Sequence, residues 1–284
     1  METAQTLAPG QPADAPASRA PSYREPRPGL MLPALSLAQR ELVRFLRQRH
    51  RVIGALATPI VFWLLVGGGM GHSFRAGGPD GANYLQYFFP GTILMILLFT
   101  AIFSTISIIE DRREGFLLSM LVSPAPRTSL VLGKILGSAT LAWIQGLIFL
   151  CFAPLAGVHV HAIELIPIAA AIFLISFTLT GLGFVIAWRM NSTAGFHAIM
   201  NLLLVPMWMV SGSLFPMATA HGWVKAIMWV NPLTYSIALL NHTLHLPNAA
   251  PGFNESLLVT AVFGLVLLFA SGAMAAQKSA KSAA

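Results

Sequence analysis

The chain has 284 residues, of which 56% are hydrophobic and only 10% charged, with a net charge of +7. A soluble domain carries about 25% charged residues, so a soluble enzyme is excluded, and the cations are too few and scattered to line a nucleic-acid groove. Cys151 is the single cysteine, which excludes an intramolecular disulfide framework and any multi-cysteine metal site.

What remains is an integral membrane protein, all-α, whose elements can be taken in chain order. Of 27 charged residues, 12 lie in the first 51 positions. Residues 1–30 are rich in Ala, Pro, Ser and Gln with scattered charge, the composition of a disordered tail. No apolar stretch precedes residue 52, so no cleavable signal peptide is expected. Residues 33–51 predict an amphipathic helix. Arg40, Arg44, Arg47 and Arg51 share one stripe, and Leu35, Ala38, Leu42, Phe45 and Leu46 lie on another face. Two roles fit this helix: a basic anchor on anionic lipid headgroups, or an interfacial helix that also meets a cytoplasmic partner.

A bilayer core needs about 20 mostly apolar residues per helix. Six segments qualify, at about 52–71, 87–109, 134–156, 164–187, 193–213 and 256–276. A seventh interval free of Asp, Glu, Lys and Arg, 226–254, is interrupted by Asn231, Pro232, Asn241, His242, His245, Pro247 and Asn248, so no unbroken apolar run spans it. Cytoplasmic loops collect Lys and Arg. Six spans with both termini inside place fifteen cations on the cytoplasmic side and two, Arg75 and Lys225, outside. Residues 31–276 then form one six-span unit between the 1–30 tail and a short 277–284 cytoplasmic tail.

The stretch after the second span carries more than topology. The charges at 110–114 mark the bilayer exit, and Pro124 and Pro126 stop any helix begun there. Between them Phe116, Leu117, Met120, Leu121 and Val122 predict a two-turn helix, too short to span. Such an apolar helix either docks on a partner or lies flat on the membrane.

The run Glu114-Gly115-Phe116-Leu117, then Leu121-Val122-Ser123-Pro124, then Gly133-Lys134, resembles the cytoplasmic loop of type-2 permeases of ATP-binding-cassette exporters. That family commonly shows Glu-x-x-x-Gly-Thr-Leu-Glu, a Leu-Leu pair, Thr/Ser-Pro and a downstream Gly-Lys. Here Phe116 stands for the usual Thr and Leu118 for the second Glu. A second similarity pairs Ser211-Gly212-Ser213-Leu214-Phe215-Pro216 with Asn231-Pro232-Leu233-Thr234-Tyr235. In the family similar motifs flank an external, partly re-entrant pair of short helices; a plain loop resting on the headgroups is the other reading of 214–240.

The resemblance implies a permease of the bacterial inner membrane that works with two copies of a separate cytoplasmic ATPase and a second, most simply identical, permease. Arg112, Arg113, Glu114, Gly115, Phe116, Leu117, Leu121, Ser123 and Pro124 would form the ATPase contact. Gly212, Phe215, Pro216, Asn231, Pro232 and Tyr235 would mark the re-entrant motif. The chain itself is expected to bind no cofactor, with ATP held by the partner. Its own residues agree, since no Gly-x-x-x-x-Gly-Lys-Ser/Thr loop occurs: Thr128 and Ile135 stand where Gly and Ser/Thr belong around Gly133-Lys134. The spans are nearly empty of ionisable groups, which disfavours an ion-coupled carrier. Such a carrier or a channel, and a non-transporting scaffold in cofactor assembly, are the rival classes. The His159/His161 and His242/His245 pairs read as solvated loop residues and not as metal ligands. Lipid-like, glycan or drug-like cargo would suit an apolar interior, with Phe149, Phe173, Phe177 and Phe184 as candidate lining.

Overall fold

The computed structural model describes residues 29–70, 83–116, 119, 126–247 and 250–280. Nine α-helices and no strands occur among these described residues. They are α1 (Met31–Arg47), α2 (Arg49–Met70), α3 (Tyr84–Arg113), α4 (Arg127–Leu150), α5 (Leu165–Arg189), α6 (Thr193–Trp208), α7 (Gly222–Val230), α8 (Pro232–Thr243) and α9 (Phe253–Ala280). Most of the 1–30 tail lies outside the described residues, as do 281–284.

Six stretches are long and apolar enough to cross a membrane: Arg49–Met70, Tyr84–Arg113, Arg127–Leu150, Ala162–Arg189, Thr193–Ser213 and Phe253–Ala276. α3 is the axis of the bundle. Its most apolar window is 83% buried, against 22% for α2, α6 and α9, and it packs on α2, α4, α5 and α6. Around it Trp63 of α2 and Phe149 of α4 meet edge to face at 5.4 Å, and Phe89 stacks on Phe149 at 5.0 Å. Phe149 and Phe184 are fully buried packing residues. Phe173 and Phe177 are half-buried.

The third span is shifted from its expected position of 134–156, for two reasons. It starts at Arg127 because Lys134, which marks a bilayer edge when read as a bare charge, is enclosed and paired inside the fold. It ends at Leu150 because the apolar run beyond continues as a 3₁₀ turn, Ala153–Ala156, with Pro154 near its start.

Local signals account for several helix ends. Asn83 and Ser192 cap α3 and α6 by accepting the Leu85 and Gly195 amides. Asn231 does the same for α8 by accepting the Leu233 amide at 3.0 Å, with Pro232 in the first helical position. That cap separates α7 from α8, so the 226–254 interval forms two short helices and no seventh span. α6 ends in a π-type turn, Met209–Ser213, in which Gly212 takes φ +96°.

α1 lies along α4 through its buried residues Ala34, Leu37, Ala38, Glu41 and Phe45. The approach requires glycine. A Cβ on Gly133 would stand 2.6 Å from the Ala34 carbonyl oxygen, and one on Gly137 2.9 Å from that of Ala38. Leu32, Leu35, Val43 and Leu46 remain exposed on the other side of α1.

Candidate functional site: a charged joint at one end of the bundle

Where α1, α3, α4 and the start of α2 meet, four carboxylates (Glu41, Glu110, Asp111, Glu114) face four cations (Arg40, Arg44, Arg51, Lys134). The centre is buried: Glu41 is 3%, Asp111 0% and Lys134 2% exposed. The Lys134 ammonium donates to Glu41 Oε1 at 2.7 Å, to Asp111 Oδ2 and to the Ser107 hydroxyl at 3.2 Å. All three of its protons are therefore engaged. Arg44 spans two consecutive acids, reaching Asp111 at 2.5 Å and Glu110 at 3.0 Å, and Arg51 reaches Glu110 at 2.5 Å. Burial pulls the Arg44 guanidinium pKa down, but Asp111, together with Glu110 and Glu41, more than offsets this and leaves it above its ordinary value. Charges taken out of water are tolerable only when paired and fully hydrogen-bonded, and here the signs balance.

The same end of α3 is tied to the turn between α5 and α6. Arg112 donates to the carbonyl oxygens of Trp188 at 2.6 Å and Met190 at 3.0 Å, and Arg113 donates to that of Asn191 at 2.8 Å. These carbonyls lie at and just past the end of α5, where a cation is the natural cap. Gly115 then stops α3: its φ of +76° is the left-handed conformation that glycine reaches without penalty. Beyond it the Arg40 guanidinium sits 3.7 Å over the Phe116 ring.

The residues singled out in the sequence thus fall into three groups. Arg40, Arg44 and Arg51 of the arginine stripe turn inward to the α3 carboxylates, while Arg47 is exposed and makes no ion pair among the described residues. Arg112, Arg113, Glu114, Gly115 and Phe116 form the platform at the end of α3; Leu117, Leu121, Ser123 and Pro124 lie outside the described residues. The third group is held apart, beyond the other end of α3. There the Gly212 carbonyl accepts the Tyr87 hydroxyl at 2.6 Å, Asn231 Nδ2 donates to the Met207 carbonyl at 2.6 Å, and the Tyr235 hydroxyl donates to that of Trp229 at 3.0 Å. Pro216 is buried at the head of a 3₁₀ turn and Phe215 is half-buried. Sequence reasoning missed Glu41, Ser107, Asp111 and Lys134 as a unit. One signal was available: Glu41 shares the α1 face of Ala34, Ala38 and Phe45, where an unpaired carboxylate would be untenable.

Six apolar spans capped by this joint define a multi-pass membrane protein. The chain belongs to the ABC-2 type transporter family, which matches residues 34–245, from α1 to just past α8. It is 26% identical over 251 residues to the putative transport permease ycf38 of Cyanophora paradoxa, covering 82% of this chain and 86% of that one. It is 26% identical over 195 residues to nodulation protein J of Rhizobium leguminosarum bv. viciae, covering 68% and 74%. A third similarity, 24% over 161 residues, is to the probable multidrug ABC transporter permease YbhR of Escherichia coli K12, covering 54% and 42%. Membership of this family implies association with an ABC ATPase subunit.

Proposed function

We infer that the chain is the membrane half of an ATP-driven exporter in a bacterial cytoplasmic membrane. Two identical permeases form the passage, and two copies of a cytoplasmic ATPase grip the segment from Arg112 to Pro124. ATP is bound and hydrolysed in that partner, and the cargo is lipid-like, glycan or drug-like. The relative named as a probable multidrug permease supports the last of these classes.

The observation that carries this reading is the convergence on residues 110–116. A displacement of the chain beyond Gly115 is passed to α1 by Arg40 and Arg44, to α4 by Lys134, and to the α5–α6 turn by Arg112 and Arg113. A push on one short segment therefore moves several helices together, the discrete rearrangement that a packed bundle permits. The test is recovery of the ATPase that co-purifies with the wild-type chain from its own membranes. Gly115→Asp adds a charge and a side chain at φ +76°, and we expect it to abolish co-purification while the permease still inserts. Undiminished co-purification would overturn the docking role. Labelling of Ser119→Cys in a Cys151→Ala background, reachable only from the cytoplasm, checks the orientation.

A further inference from the structure

The ends of α4 and α5 furthest from the joint enclose an open groove of about 310 Å³. Leu147, Leu150, Cys151, Val158, Val160 and Leu165 form most of its wall, and no charged side chain lines it. Its surroundings continue the same character: Ile148, Leu155, Ile163 and Ile166 are 48%, 70%, 83% and 78% exposed. The two helices of this hairpin both belong to spanning stretches, one closing at Leu150 and the other opening at Ala162. The groove therefore sits where hydrocarbon gives way to headgroups.

A polar rim lies beside it, between the lining residues Val160 and Leu165. Glu164 Oε2 accepts the His161 amide at 2.9 Å, and its Oε1 meets His161 Nδ1 at 3.3 Å and His245 Nε2 at 3.4 Å. His245 comes from the end of α8 in a left-handed conformation, φ +51°, which costs a non-glycine residue energy and directs its ring here. Both imidazoles are largely exposed, and no trio of His, Cys, Asp or Glu among the described residues is arranged to hold a metal ion. Apolar wall and charged rim thus lie in the order of a phospholipid's chain and head.

We propose that this groove holds one acyl chain of a bilayer phospholipid, with the headgroup set against the His161–Glu164–His245 rim. The membrane supplies the occupant, because a concave apolar surface at this level is filled by a chain that straight annular lipid leaves uncovered. The bound lipid wedges the α4–α5 hairpin against the end of α8, so the hairpin and the α7–α8 segment move as one piece. This assignment is independent of the ATPase and of the cargo, and requires only that the chain spans the bilayer.

Cys151, the sole cysteine, is exposed at the mouth of the groove and serves as a native reporter. The full chain, labelled there with bimane, is placed in phosphatidylethanolamine–phosphatidylglycerol vesicles containing a phospholipid that carries a nitroxide high on its acyl chain. We expect this lipid to quench the label more strongly than aqueous iodide does. Stronger quenching by iodide would show a wet groove, and quenching by neither would show a protein cover, such as a second copy; either result overturns the proposal. In the second arm, native mass spectrometry follows the unlabelled protein extracted in mild detergent. Wild type and Cys151→Ser should retain a phospholipid, and Cys151→Trp, which fills the groove from an exposed position, should lose it. Equal retention by the Trp variant, or retention by none, also overturns it.

Discussion

Lys134 is the residue on which the charged joint turns. Its ammonium is enclosed with two carboxylates and a hydroxyl, so deleting it takes from Glu41 and Asp111 their one buried counter-charge and leaves them only the half-buried Arg40 and Arg44. Breaking a buried pair in this way costs about 3–5 kcal/mol. Lys134→Ala should lower thermal stability in detergent accordingly, and Glu41→Gln introduced beside it should restore part of the loss. An independent effect of the two changes would show that they do not share a network. Arg47→Ala is the matched control: exposed and outside the network, it should leave the unfolding midpoint unchanged. The arginine stripe itself was visible as a spacing of four, three and four. Its destination was not, because Arg40 and Asp111 are 71 residues apart and Arg51 and Glu110 are 59 apart. Periodicity reports which side chains share a face and is silent about what that face meets.

Among the elements, the spans were the most legible part of the fold. Twenty apolar residues in a row leave a helix little alternative in a bilayer, and all six spanning stretches overlap the intervals marked by absence of charge. Legibility failed at Lys134, since a charge paired by a neighbour from another helix does not mark an edge. The seventh interval was resolved by Asn231-Pro232, a helix-start signal in the middle of an apolar run. Asn231→Ala removes both the α8 cap and the hydrogen bond to the Met207 carbonyl. The cap alone is worth about 1 kcal/mol, so the variant should show increased hydrogen exchange across residues 231–235 with the spans unaffected. Seating of α1 depends on Gly133 and Gly137, and small residues in an apolar chain do not announce which helix they admit. Gly137→Leu should lift α1 from α4, read as faster hydrogen exchange across residues 34–41 of α1. Unchanged exchange there would show that the glycine contact is dispensable.

At the scale of the whole molecule the ends of the bundle differ in kind. One end gathers nearly all the buried charge and holds the platform that leads to the proposed ATPase contact. Beyond the other end lie the short helices α7 and α8, the π-type turn and the apolar groove. The family was legible from short motifs in a fixed order, and the structure supplies a physical reason for two of them. Gly115 ends α3 in a conformation that favours glycine, and Asn231-Pro232 starts α8. Cargo was not legible, because the aromatic side chains Phe149 and Phe184 that suggested a lining are spent on packing.

The complete enclosure of Asp111 has a practical corollary for membrane preparations. Dissolved ions weaken attractions between groups that water can reach, within about 10 Å at 0.1 M, and neither Asp111 nor Lys134 offers such access. Concentrated potassium chloride, which strips charge-held peripheral subunits, should release the ATPase while α1 remains seated on α4. Brine would then separate the motor from the permease and leave the permease's own handle attached.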